Sequence, residues 1–333
     1  MNDTRRIVEQ QARDDTRWRA IEALPWLLFI AFYFLFETRL ALGNTVLIMV
    51  LFTLSLDLVL GYAGIATLGH ALFFGLGAYT AGIVIVAGWP EPVSGLLLAV
   101  GVAAIAAILT GMLLLHLHGN TLLMLTLAFL VLAYEVANKW TAVTGGDDGL
   151  QGVAAAPLLG LFEFDLRGQT RYWYALVVLF ALFLLSRAIA SSQFGLALKG
   201  IRENAGRMRA MGVPVKRHLM VIYAIAGAMA GAAGAVSAHS TGFVGLDTLA
   251  VALSANGMVM LVLGGWGRLY GALIGATFYV VLHHFTSNWN PFHWMFLVGA
   301  ALIIVVRFGK GGLLGLVDRL RARLQQPPRG PGR

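Results

Sequence analysis

The sequence predicts an all-α polytopic integral membrane protein with about ten transmembrane helices and both termini in the cytoplasm. Three observations predict it. The first is composition: of 333 residues, 59% are hydrophobic and only 12% charged, whereas an ordinary soluble domain is about 25% charged. Mean hydropathy is +0.78, and a soluble protein could not clothe its surface in polar groups from such a chain. The second is pattern. The apolar residues fall in long solid runs, enough for about ten helices of ~20 residues, and not in the ~10-residue alternating segments of a membrane barrel. The third is the placement of positive charge. Lys and Arg number 24 against 16 acids, a net charge of +8 that in a soluble chain would suggest nucleic acid. In a membrane protein the same excess reports orientation, which removes nucleic acid as a partner. The absence of cysteine excludes a disulfide scaffold.

Taken in order, residues 1–23 are polar and mix five arginines with five acids, with neither the basic start nor the cleavage site of a secretory signal. The membrane-embedded body then occupies 24–306. Its apolar stretches lie at about 24–36, 44–60, 65–87, 93–115, 119–137, 172–186, 219–238, 249–264, 271–285 and 294–306. Glycines break the third, and the eighth with the ninth could form one re-entrant hairpin. If every segment crosses, the inside regions are 1–23, 61–64, 116–118, 187–218, 265–270 and 307–333, which hold 20 of the 24 Lys and Arg. Only Arg39, Lys139, Arg167 and Arg171 remain outside, Arg167 and Arg171 in an external loop at 138–171 together with Lys139. Residues 307–333 form a basic cytoplasmic tail.

Residues 57–82 read DLVLGYAGIATLGHALFFGLGAYTAG. Glycines here either let helices pack closely in lipid or mark a broken helix beside a pathway, because freed backbone at membrane depth survives only when buried in protein or beside a cavity. Asp57, Gly61, Gly64, Thr67, Gly69 and His70 are the candidate translocation-path residues, since ionisable groups near a membrane interior are functional candidates by default. The alternative sets Asp57 and His70 at the cytoplasmic interface, where they cost little. A second glycine set, LVLGGWGRLYGALIGA at 261–276, holds Gly267, Gly271 and Gly275 at four-residue spacing, which predicts one helix-packing face. Its opening repeats Leu58-Val59-Leu60-Gly61 and Gly64.

Catalytic motifs are missing. There is no nucleophile elbow, no zinc helix and no histidine pair with a further ligand at metal spacing. Gly309-Lys310-Gly311 lacks the leading glycine and hydroxyl of a phosphate loop, so this chain should hydrolyse no nucleotide and carry no metal. The block from Ser191 to Leu219 is basic with an amphipathic helical rhythm, and an apolar stripe in a basic frame suggests docking on a partner.

These residues bring the chain into resemblance with a known family. Gly61-Tyr62-Ala63-Gly64, Leu68-Gly69-His70-Ala71 and Phe74-Gly75-x-Gly77-Ala78-Tyr79-Thr80 are similar to the signature of permease subunits of branched-chain amino acid ABC importers, a family that includes urea and amide permeases. Thr144-Gly145-Gly146 with Gly149-Leu150, Ile201-Arg202-Glu203-Asn204 with Gly212, and Gly264-Gly265-x-Gly267 through Gly275-Ala276 extend the likeness over about 44–306. Ile65, Thr67 and Ala205 depart from the usual glutamine, serine and acidic residue. The resemblance implies a subunit of the bacterial cytoplasmic (inner) membrane that forms a path for branched-chain or related amino acids. It implies a coupling helix at Gly200–Gly212, with Arg202, Glu203 and Asn204 as its contacting face, seated on two cytoplasmic ATPase subunits that bind the ATP. It also implies a second homologous permease and an external solute-binding protein received by 138–171. A urea or amide permease and an ion-coupled secondary transporter are the alternatives. The latter needs acids at mid-membrane, and only Asp57 and Glu135 lie within the expected spans.

Overall fold

The computed structural model describes residues 23–117, 119–158, 162–163, 168–289, 296–300, 302–303 and 311–315. Nearly all of the expected N-terminal segment, part of the tenth apolar stretch and most of the basic tail lie outside the described residues. Within them the chain is almost wholly helical, and the only β-pairings are two isolated bridges, Leu150 with Val244 and Leu158 with Phe162. Among the described residues ten helices of twelve or more residues follow one another: α1 Leu24–Leu35, α2 Leu40–Leu56, α3 Ala71–Val86, α4 Pro92–Leu114, α5 Asn120–Lys139, α6 Gln169–Ser191, α7 Gln193–Ala210, α8 Val215–Thr241, α9 Val251–Gly264 and α10 Leu269–Trp289. All but α7 fall on expected apolar stretches, and α7 is the basic block expected at the cytoplasmic side.

Six segments are long and apolar enough to cross a membrane: α2 with its flanking turns, α4, α5, α6, α8 and α10. At 23 residues α4 is about 35 Å long, more than the ~30 Å of the hydrocarbon core. By contrast α3 has 16 residues and α9 has 14, or about 24 and 21 Å. The third stretch, expected as helix from 65, becomes helical only at Ala71; the reason lies in the site described below.

The helices form two shells. In α2 and α8, 83% and 67% of the most apolar window is enclosed by protein, against 28% in α4 and 22% in α5. The outer helices accordingly turn Leu97, Ile105, Leu109, Met124 and Leu132 outward, as expected of a surface solvated by lipid or by another apolar protein. The core is built on small residues. Gly227 and Gly231 of α8 lie against Ala107 and Ala103 of α4, Gly234 rests on the Phe74 carbonyl, and Gly77 of α3 rests on the Gly231 carbonyl. Ala99, Ala103 and Ala107 are fully buried and spaced by four, so they form one stripe. Apolar side chains gain nothing by leaving lipid for one another, so this close backbone approach, with its dispersion contacts, is what holds α3, α4 and α8 together.

Candidate functional site

The site begins where α2 ends. Its last turn widens into a π-helical turn, Asp57–Tyr62, a distortion that often accompanies function, and Gly64 then takes φ +73°. Residues 63–70 leave the helix, and their amides must find other partners because lipid offers none. Hydroxyl groups from two other helices and from the segment itself serve three of the amides at 68–71. Leu68 N–H donates to Thr126 Oγ1 of α5 (3.3 Å), Gly69 N–H to Thr67 Oγ1 (3.1 Å) and Ala71 N–H to Ser254 Oγ of α9 (2.9 Å). Gly69 itself lies against the Thr126 carbonyl, where a Cβ would overlap backbone. The glycine run therefore holds a helix break at 63–70, while Gly75, Gly77 and Gly82 beyond it pack closely on neighbouring segments.

His70 is fully buried, with its Nε2 2.8 Å from Ser55 Oγ. Ser55 spends its one proton on the Phe52 carbonyl, 2.6 Å away. His70 Nε2–H must then be the donor to Ser55, which leaves Nδ1 as an acceptor; that atom has no partner among the described residues. Asp57 is also fully buried, and its Oδ1 accepts from the Gly267 N–H at 2.6 Å. Both residues are thus enclosed by protein. Gly64 borders an open groove of about 370 Å³, shared with Ile65, Asn120, Arg202 and Arg209, whereas Thr67 is packed away.

Gly267 corrects a sequence expectation. It lies outside α10, in the turn between α9 and α10, with φ +74°, so it does not share a helix face with Gly271 and Gly275. Its amide faces Asp57 instead. Gly271 and Gly275 do form a packing face. They press on Gly264 and Gly265 so closely that a Cβ at either would overlap backbone, which makes α9 and α10 a tight helical hairpin. The two copies of Leu-Val-Leu-Gly-x-x-Gly meet here. Both close a helix on a left-handed glycine, Gly64 at +73° and Gly267 at +74°, and Gly61 of one packs on Gly267 of the other. Gly312 seats against Gly264 and Gly265 from the C-terminal side.

The basic block of α7 joins this point directly. Arg202 Nη1 donates to the Gly61 carbonyl, and the guanidinium lies within electrostatic reach of Asp57. The expected single coupling helix at Gly200–Gly212 is broken at Asn204, which has extended backbone (φ −158°, ψ 94°). Asn204 Oδ1 accepts from Arg207 N–H at 2.9 Å, so Asn204 starts a second short helix as its N-cap. Arg202, Glu203, Arg207 and Arg209 are all exposed, and Arg202 reaches the glycine turns through the tip of its side chain. Gly212 closes the segment at φ +85° with nothing within 4 Å of where its Cβ would be.

On the opposite end, Leu150 and Val244 exchange both backbone bonds (2.8 and 3.1 Å), pinning the 138–171 loop to the end of α8, with Asp147 and Asp148 exposed. Sequence reasoning missed Ser55, Thr126 and Ser254, because a hydroxyl in an apolar helix commonly bonds its own preceding turn and carries no mark of a distant partner. It also missed the α8 glycines, for which the four-residue spacing of Ala99, Ala103 and Ala107 was an available signal. Among the described residues no group of three or more His, Cys, Asp or Glu is placed to hold a metal.

Several proteins with curated names are similar to this chain. The high-affinity branched-chain amino acid transport system permease protein LivM of Escherichia coli K12 is 26% identical over 300 residues, covering 82% of this chain and 69% of that protein. The autoinducer 2 import system permease protein LsrC of Enterobacter sp. 638 is 29% identical over 270 residues, covering 77% and 71%. The LsrC protein of Salmonella typhimurium is 27% identical over 302 residues, covering 86% and 76%. No solved structure matches significantly. A family model described as the permease component of a branched-chain amino acid transport system matches residues 39–306, the span that holds the helical break, the basic α7 segment and the glycine hairpin, and the chain belongs to that family.

Proposed function

We propose that this chain is the membrane-spanning permease subunit of an ATP-driven importer in the bacterial inner membrane, with ten crossings and both termini cytoplasmic. On this reading it pairs with a second homologous permease and receives its solute from an external solute-binding protein. It binds no nucleotide; two cytoplasmic ATPase subunits hold the ATP. The carrying observation is the bond from Arg202 to the Gly61 carbonyl, because it ties the segment exposed to the cytoplasm to the break in the membrane-spanning core. Glu203, Arg207 and Arg209 then face the ATPase, and a displacement of that segment reaches Gly61, Asp57 and Gly267 through Arg202. The two states are biased by nucleotide on the partner, and the element moved is the kinked α7.

An ion-coupled mechanism needs a titratable acid free to exchange protons or ions in mid-membrane. Asp57 is engaged by Gly267, and Glu135 is exposed on α5, which favours ATP as the energy source. Branched-chain or related amino acids are the solutes we favour, in keeping with LivM, with the solute of the LsrC relatives as the second reading. The test is uptake in cells carrying the cognate partners. Arg202→Ala with Glu203→Ala should abolish ATP-dependent uptake while leaving membrane insertion normal. Unchanged uptake, or uptake driven by a proton gradient after ATP depletion, overturns the proposal.

A further inference from the structure

Between the external loop and the ends of α6 and α8 lies a recess of about 270 Å³, bordered by Gly152–Ala155, Arg171, His239 and Gly242. Its volume suits a small solute, at the lower end of ligand cavities. Two side chains in its lining are donors without a partner. Arg171 Nε is buried and has no hydrogen-bond partner among the described residues. His239 is 2% exposed, and its Nε2 is equally buried and unpaired, set beside the Cα-only side of Gly95. Tyr174 OH lies 3.1 Å from His239 Nδ1. When Tyr174 donates there, the ring proton resides on Nε2, and the ring becomes a second donor.

A buried donor left unmatched is costly, and two in one recess, one of them on a fixed positive charge and with no acidic side chain among the described residues of the lining, describe a site whose occupant supplies acceptors and negative charge. A carboxylate fits: it accepts only, and Arg pairs with it through two parallel N–H donors. A neutral hydroxyl-rich solute fits poorly, because each hydroxyl must also donate and the described residues of the lining offer no free side-chain acceptor. The lining is otherwise Gly, Ala and Val, which would accommodate a short aliphatic group.

We infer that this recess binds the carboxylate of a small aliphatic solute, with Arg171 as the ion-pair partner and His239 as the second donor. The inference rests on the importer reading above and gives the permease a selectivity of its own at the external end. The full chain in lipid nanodiscs, with no soluble protein present, is titrated with L-leucine, 4-methylpentanoate and leucinol, and binding is followed by ligand-observed NMR. The two carboxylates should bind and leucinol should not. Arg171→Gln should weaken both carboxylates about tenfold or more, Arg171→Lys should restore part of that loss, and His239→Phe should weaken them less. Thermal melting of each variant separates loss of binding from loss of fold. Equal binding of leucinol, carboxylate binding indifferent to Arg171→Gln in a folded protein, or no binding by the chain alone at 10 mM (about the weakest affinity worth the name) overturns the site. That last outcome assigns Arg171 to protein docking and leaves the Arg202 uptake test untouched.

Discussion

Arg202 and Asp57 divide one task between them. Asp57 holds the α9–α10 turn by accepting from Gly267, and Arg202 holds the α2 turn by donating to Gly61. Asp57→Asn keeps an acceptor for Gly267 while removing the charge that faces Arg202. It should insert and melt normally yet lower uptake severalfold, as measured with labelled solute in cells. Asp57→Leu removes the acceptor as well. It leaves a buried amide unpaired, and should lower stability by about 1–3 kcal/mol, read as a lower melting temperature in detergent. Asn204 is separable from both. Alanine there costs the cap of the second short helix about 1 kcal/mol, so trypsin should cut at Arg207 and Arg209 faster in Asn204→Ala than in the parent, and Asn204→Asp, which can still cap, should restore protection.

At the scale of elements, the axial object is α8, whose glycines carry the backbones of α3 and α4. Gly234→Val should push the Phe74 carbonyl away and cost about 1–3 kcal/mol or more as an overpacked contact, detectable as a lower melting temperature and reduced yield. The same change at Gly101 of α4, which has nothing within 4 Å of its Cβ position, should be nearly neutral. Most helices were readable from the sequence because their apolar runs are long and continuous, as with α4, α5 and α8. The start of α3 was not. Residues 65–70 are as apolar as a helix, and only their partners, one from α5 and one from α9, keep them out of one. Gly267 was misplaced for a related reason: four-residue spacing implies a shared face only where the chain is helical, and the turn after Gly264 ends that premise. Among the candidate path residues, Asp57 and His70 were identifiable as expensive groups, but their roles depend on Gly267 and Ser55, at 210 and 15 positions' distance.

For the whole molecule, the distribution of positive charge sets the proposed sidedness, and the composition makes that sidedness simple to test. The chain contains no cysteine, so a single introduced thiol reports alone. Asp147→Cys should react with an impermeant maleimide on intact spheroplasts, and Arg209→Cys only after permeabilisation. Reaction of both from one side would rule out the ten-crossing arrangement. The hydroxyl groups that hold the helical break also impose an order on biosynthesis. Ser254 leaves the ribosome 183 residues after Ala71, so the amide that opens the third helix has no native partner until the ninth has been made. The pathway's most constrained turn is closed by the last third of the nascent chain. A product stalled before that point holds unpaired backbone in lipid, and so offers membrane proteases a means to tell it from the finished subunit.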